Sequence, residues 1–187
     1  MNSSTTEYEA KLLDVDPEGV TEALELLGAT KVADRRLMRR YVYDIVPGDM
    51  SAWMRLRHDG ERATLTIKKI HHDGVDGTVE WEQEVADFHL MNDMLALLGF
   101  EYRNYQENYR TSWTFKEVQI EIDEWPRIRP YVEIEGPSEL SVQLMEMALR
   151  KAASGIDVWL GKTTSINTTT IYSDAGIDLL SIRELRF

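Results

Sequence analysis

The chain has 187 residues, 43% hydrophobic and 29% charged, with a formal net charge of −12, a composition that fits one globular core and excludes disorder throughout. So acidic a protein is not a general nucleic-acid binder, because non-specific binding draws on a basic surface. Absence of Cys removes disulfides, thiolate nucleophiles and Cys-based zinc sites and agrees with a reducing cytoplasm, and no apolar run has the length of a membrane span or the make-up of a secretory signal.

In chain order, residues 5–13 read as a strand. Asp16 then supplies an N-cap and Pro17 a first helical position, with Val20, Leu24 and Leu27 on one face and Gly28 as the stop. Strand-like runs follow near 37–46, 51–58, 62–70 and 78–86, separated by PGD, HDGE and HDGVDG, which are hairpin turn chemistries. Asp87 caps a second predicted helix whose apolar stripe is Leu90, Met91, Met94, Leu95 and Leu98, ended by Gly99. Three more strands are predicted near 105–115, 117–124 and 131–136, and Ser138 begins a third helix through about Ala153. The stretch TTSINTTTIYSD is too polar and β-branched to assign. No internal repeat is present. The pattern predicts one domain over 1–187, α+β but mainly β, with eight antiparallel strands forming a barrel or strongly curved sheet and helices packed outside.

The alternation along these strands is distinctive. Arg55 and Arg57 oppose Met54 and Leu56; Thr64, Thr66 and Lys68 oppose Leu65 and Ile67; Glu82 and Glu84 oppose Trp81 and Val85; Asp123 opposes Ile120 and Ile122; Glu133 and Glu135 oppose Val132 and Ile134. One such charged face points to water in most antiparallel sheets. Repeated over strand after strand, with acidic and basic rows together, the charged faces suit the lining of a tunnel. An acidic shell around a basic interior selects small, multiply charged anions.

The stretch EYEAK, residues 7–11, resembles the ExExK signature of the CYTH superfamily, the triphosphate tunnel metalloenzymes. YVYD at 41–44, MRLR at 54–57, LTIKK at 65–69, WEQEV at 81–85, YR at 109–110, IEID at 120–123 and YVEIEG at 131–136 follow in that family's order. The resemblance implies an eight-stranded triphosphate tunnel. It also implies that Glu7, Glu9, Asp123, Glu133 and Glu135, with Glu82 on the fifth strand, hold a divalent cation, Mg²⁺ or Mn²⁺. Lys11, Arg55, Arg57, Lys68 and Arg110 match the cations that clamp the triphosphate, and Glu7, Glu9, Lys11, Arg55 and Arg57 are the catalytic set. Lys162 is the one candidate for the late lysine that closes the site in many members. Asn108 stands where members often carry a second basic residue.

Chemistry supports this division of labour. A triphosphate carries about four negative charges, and the guanidinium fork matches phosphate oxygens in a bidentate way, while hard divalent ions prefer carboxylate oxygens beside substrate phosphates. Of Arg35, Arg36, Arg39 and Arg40, the alternation relative to Tyr41 makes Arg39 the candidate for the interior. His71 and His72 fall in a turn-rich segment, and none of the four His residues is assigned to catalysis; the Trp residues are expected to pack.

Three functions follow: a metal-dependent triphosphatase acting on inorganic triphosphate, ATP or thiamine triphosphate; a class IV adenylate cyclase making cyclic AMP and pyrophosphate; or a non-catalytic polyphosphate-binding module. The first is preferred, since no adenine-reading motif is evident and a passive anion binder gains nothing from carboxylates. A cytoplasmic monomer or homodimer with no nucleic-acid or membrane partner is expected.

Overall fold

The structure is a computed structural model that describes residues 8–49, 51–70 and 78–187. Its elements are β1 (Tyr8–Leu12), α1 (Pro17–Leu26), β2 (Thr30–Asp44), β3 (Ala52–His58), β4 (Ala63–Ile70), β5 (Thr78–Val85), α2 (Phe88–Leu97), β6 (Tyr102–Phe115), β7 (Val118–Glu124), β8 (Tyr131–Gly136), α3 (Glu139–Gly155), β9 (Thr163–Thr164), α4 (Thr168–Asp174), a 3₁₀ turn (Leu179–Ser181) and β10 (Glu184–Leu185). The α+β, mainly antiparallel class expected from the sequence is what forms. The strands join in the order β5-β4-β3-β2-β6-β7-β8-β1-β9, with β10 parallel to β6. That order ends on β5 and β9, and among the described residues no strand pair closes it. No helix among them is long and apolar enough to cross a membrane.

The described residues fall into two compact units. One comprises those of Leu37–Asn108 and Asp178–Phe187, the other those of Glu7–Arg36 and Tyr109–Ile177.

In the first unit β3 pairs with β2 and β4, and β4 with β5. One face of these strands buries Tyr43, Met54, Leu56 and Ala63 beneath Phe88 and Leu95 of α2. Asp87 starts α2 as expected, its carboxylate accepting from the His89 and Leu90 amides. The predicted stripe is corrected, however: Leu90, Met94 and Leu98 are exposed. The helix turns Phe88, Met91 and Leu95 to the sheet, and Tyr43 donates to Asn92 Oδ1 at 3.0 Å. Leucine and methionine surround this helix on nearly every side, so periodicity alone does not select the buried face.

In the second unit β1, β8, β7 and the later part of β6 carry an apolar face under α1 and α3. Pro17 opens α1 and Asp16 Oδ2 accepts from the Gly19 amide at 3.0 Å; Val20 and Leu24 face inward and Gly28 ends the turn at φ 74°. Ser138 and Ser141 cap α3 reciprocally, which turns Val142, Met145 and Leu149 onto Ile120, Val132 and Ile134. Each such buried aliphatic side chain contributes about 1.5–3 kcal/mol. The apolar residues lie at i, i+3 and i+7 on the helix and at alternate positions on the strands, which leaves the opposite strand face to charged residues.

The segment left unassigned in the sequence holds β9 and α4. Lys11 and Leu12 pair with Thr164 and Thr163, and the Leu13 amide donates to the Lys162 carbonyl at 3.0 Å. Gly161 allows this approach, because a Cβ there would run into the Leu13 carbonyl.

Candidate active site

The charged face of the first unit is built by register. Across three strands, Arg55 lies opposite Thr66, which lies opposite Glu82; Arg57 lies opposite Thr64, then Glu84; and Trp53 lies opposite Lys68, then Glu80. Glu82 is therefore the carboxylate that meets the arginines: Arg55 Nη2 and Arg57 Nη2 stand 4.0 and 3.9 Å from its Oε2, while Thr66 Oγ1 donates to that oxygen at 2.6 Å. Partial burial pushes the Glu82 carboxyl up, but Thr66 and the two arginines outweigh it and hold the group below its ordinary range. Lys68 binds Glu80 instead.

Arg40 and Arg39 exchange expected places. Arg40 lies opposite Arg57, and its Nη2 donates to Oδ1 of the fully buried Asn108. A cation from β2 thus stands beside Asn108, the position at which the resemblance leads to the expectation of a basic residue. Arg39 lies opposite His58 and approaches the Phe88 ring, 5.6 Å from its centroid, on the face covered by α2. Tyr41 shares that face with Phe88, Tyr102 and Tyr105, so Tyr41 marks the core side of β2. No strand of the sequence announced Arg40, since β2 carries Arg on both faces.

The charged face of the second unit carries acid and base together. Glu9 is paired across β1 and β8 with Glu135, and Lys11 with Glu133; across β7, Glu133 is followed by Glu121, and Asp123 lies opposite Arg110 on β6. Lys11, 3% exposed, binds Glu9 Oε1 at 2.8 Å and Glu133 Oε2 at 3.1 Å. Burial draws the ammonium down, but the two carboxylates more than offset it, so its pKa lies above the ordinary value. Arg110 Nε donates to Asp123 Oδ1 at 2.7 Å, its Nη2 binds the second oxygen, and Glu133 Oε1 stands 3.7 Å away. Asp123 is completely buried, a position a carboxylate holds only when a cation compensates it. Burial pushes the neighbouring Glu121 carboxyl above its ordinary range, more than Arg110 lowers it. Arg35 leaves this network: its Nε donates to Glu124 at 2.7 Å and its guanidinium stacks over Tyr109 at 3.5 Å.

Among the described residues no three His, Cys, Asp or Glu side chains converge as a metal-holding group, and Glu7, His71 and His72 lie outside the described residues. The donor chemistry nonetheless fits a hard divalent cation. Glu9 and Glu135 are direct cross-strand partners, an arrangement of like charges that costs stability unless a cation stands between them, and both offer only carboxylate oxygen. Glu133 and Asp123 are turned to Lys11 and Arg110. Lys162 is exposed and lines a cavity with Arg127 and Arg129 that neither Lys11 nor Arg110 lines.

The CYTH domain family model matches residues 5–154. Among curated proteins none matches the sequence. Solved structures share the fold at low identity. One from Vibrio parahaemolyticus, named as a candidate adenylate cyclase, has a TM-score of 0.67 at 13% identity, covering 89% of this chain and 97% of that one. HpAC1 from Hippeastrum, a candidate adenylyl cyclase with a dominant triphosphatase activity, has a TM-score of 0.62 at 15% identity, covering 94% and 98%. The PH1012 protein of Pyrococcus horikoshii has a TM-score of 0.61 at 18% identity, covering 82% and 94%.

Proposed function

The chain belongs to the CYTH domain family, and from that premise we propose that it is a metal-dependent triphosphatase that hydrolyses the terminal phosphate of inorganic triphosphate or an organic triphosphate. One observation carries the assignment. Arg55 and Arg57 stand 4.0 and 3.9 Å from a single Glu82 oxygen, beyond the reach of a hydrogen bond to it. Two guanidinium groups gathered on one face of β3 around one carboxylate present their forks side by side to the oxygens of a single phosphate chain.

Arg40 and Lys68 extend the cationic face, and Lys11 and Arg110 are the cations of the second unit assigned to phosphate. Lys68, Lys11 and Arg110 are held by carboxylates and Arg40 by the Asn108 side-chain oxygen before substrate arrives, so the side chains are oriented and their ordering cost is met in folding. Glu9 and Glu135, with Glu7, are the residues assigned to a divalent cation, which when bound neutralises phosphate charge and activates an oxygen nucleophile. Catalysis then rests on positioning and charge neutralisation, as expected for phosphoryl transfer with little covalent chemistry. The triphosphatase activity described for HpAC1, a protein of like fold, supports hydrolysis over cyclisation.

The test is incubation with inorganic triphosphate, ATP and thiamine triphosphate, with Mg²⁺ or Mn²⁺, scoring orthophosphate, pyrophosphate and cyclic AMP. Orthophosphate should be released from inorganic triphosphate with kcat/KM at least equal to that for ATP, since a clamp built for phosphates gains nothing from the base. Cyclic AMP as the main product, with inorganic triphosphate uncleaved, would establish the cyclase instead. A Glu9→Gln variant, which removes charge with little change of shape, should lose at least about a hundredfold in kcat, in the range of a lost electrostatic contact to the reacting group, with its circular dichroism spectrum still that of the folded protein. Full activity of that variant at saturating Mg²⁺ would remove Glu9 from the metal set.

A further inference from the structure

A cavity of about 320 Å³ in the second unit is lined by Arg127 and Arg129 from the loop between β7 and β8, and by Lys162 just before β9. Leu13, Ile128 and Ile171 supply an apolar part of its wall. None of the residues assigned above to metal, and none of the assigned cations except Lys162, lines it.

Unlike the ion-paired cations of the unit, those of this cavity stand together around one hollow. Lys11, Arg35, Arg110 and Arg150 are each bound to a carboxylate. Arg127, Arg129 and Lys162 make no side-chain hydrogen bond or ion pair among the described residues, although Asp14 and Asp174 also border the cavity. In a protein with 33 acidic and 21 basic residues, carboxylates are in excess and pairing is easily had. Three unpaired cations around one hollow are therefore placed for an anion from outside. Arg127 also holds a left-handed backbone, φ 68°, a strain of roughly 1 kcal/mol or more that persists where something else requires it.

We propose that this cavity is a second ligand site, separate from the triphosphate site, for a phosphate monoester carrying an apolar or aromatic body. The two guanidinium forks and the Lys162 ammonium take the phosphate, while Leu13, Ile128 and Ile171 take the body. The volume is at the lower end for small-ligand sites and suits a mononucleotide rather than a longer polyphosphate. Lys162, which the family resemblance grouped with the triphosphate clamp, belongs here. The proposal does not depend on the triphosphatase reading.

Isothermal titration calorimetry of the full chain in EDTA tests it, with AMP, adenosine and orthophosphate as probes. AMP should bind more tightly than either fragment. An Arg127→Gly, Arg129→Ala double variant, whose glycine suits the left-handed position, should bind AMP at least about tenfold more weakly, as expected for two lost charge-assisted contacts, while retaining the wild-type melting curve and triphosphate turnover. Glu9→Gln and Arg57→Ala should leave AMP affinity unchanged, so failure of the triphosphatase assignment would not register here. The proposal is overturned by absence of binding at millimolar AMP, by orthophosphate binding as well as AMP, by an unaffected double variant, or by loss of AMP affinity in Arg57→Ala.

Discussion

Asp123 is buried to zero exposure and depends on Arg110, which grips both its oxygens. Removing only the cation takes the bidentate counter-charge from a carboxylate in a dry place. Arg110→Met should therefore cost about 3–5 kcal/mol of stability, read as a lowered urea midpoint, and Arg110→Met combined with Asp123→Leu should recover most of it. An equal loss in the double variant would mean that packing, not charge, ties the two residues together. Arg57 makes a different demand. Its guanidinium is loosely held, so Arg57→Ala should leave the urea midpoint within about 0.5 kcal/mol of wild type yet weaken triphosphate binding by at least about tenfold, with orthophosphate binding much less affected. Equal losses for both anions would point to general charge attraction. The period of two made Arg55, Arg57, Lys68, Asp123, Glu133 and Glu135 legible as one-sided rows, because each alternates with an aliphatic residue that packs away from it, whereas Glu82 stands between the exposed Trp81 and Gln83. It misread Arg39 for Arg40, since Tyr41 belongs to an aromatic cluster under α2 and apolar residues stand on both faces there, Leu37 with Arg39 and Met38 and Val42 with Arg40.

Elements were legible wherever a local signal began or ended them. Asp16 with Pro17, Asp87, and Ser138 all cap helices where the sequence places them. The rotation of α2 was not, because its apolar residues outnumber the positions the sheet can cover. Nor was β9, a two-residue strand too short to show any period and held by its partner rather than by propensity. Gly161 exposes that dependence to experiment. A methyl group there collides with the Leu13 carbonyl, which is backbone and cannot rotate away. Gly161→Ala should destabilise the protein by about 2 kcal/mol or more, within the range of strain and overpacking, and hydrogen exchange should accelerate at the Leu13 amide. An unchanged Leu13 amide would show that β9 does not hold this strand end.

For the molecule as a whole, a net charge of −12 repels itself in the folded state. Raising salt from about 0.02 to about 0.3 M shortens the Debye length from roughly 20 Å to below 10 Å, so the melting temperature should rise; a fall would mean that the Lys11 and Arg110 networks outweigh the repulsion. Acid has a separate effect through His58. Burial, followed by the nearby Arg39, holds its pKa below the usual 6.5, and its Nδ1 accepts from the Gly60 amide, which requires the neutral ring. The unfolded chain takes up a proton that the folded chain resists. This contribution is whole above pH 6.5 and is lost as pH falls through the lowered folded value. Between pH 7.5 and 5 the wild type should lose more in melting temperature than His58→Gln. Identical losses would remove His58 as the titrating group.

The pairing of β1 has a consequence for synthesis. Lys11 finds its partners at Glu133 and Thr164, so the first described strand emerges from the ribosome long before either neighbour exists. At about 5–20 residues per second the wait is on the order of ten seconds. During that time Leu12 and both strand edges are open to other nascent chains, and a neutral strand in that position would invite edge-to-edge pairing. Glu9 and Lys11 place opposite charges along it, which mark any mispairing as costly. The residues assigned to metal and phosphate in the finished protein therefore also guard the chain while it is unfinished. Neutralising both should lower the soluble yield during expression more than it lowers the refolding yield of dilute purified protein, where no neighbouring chain waits.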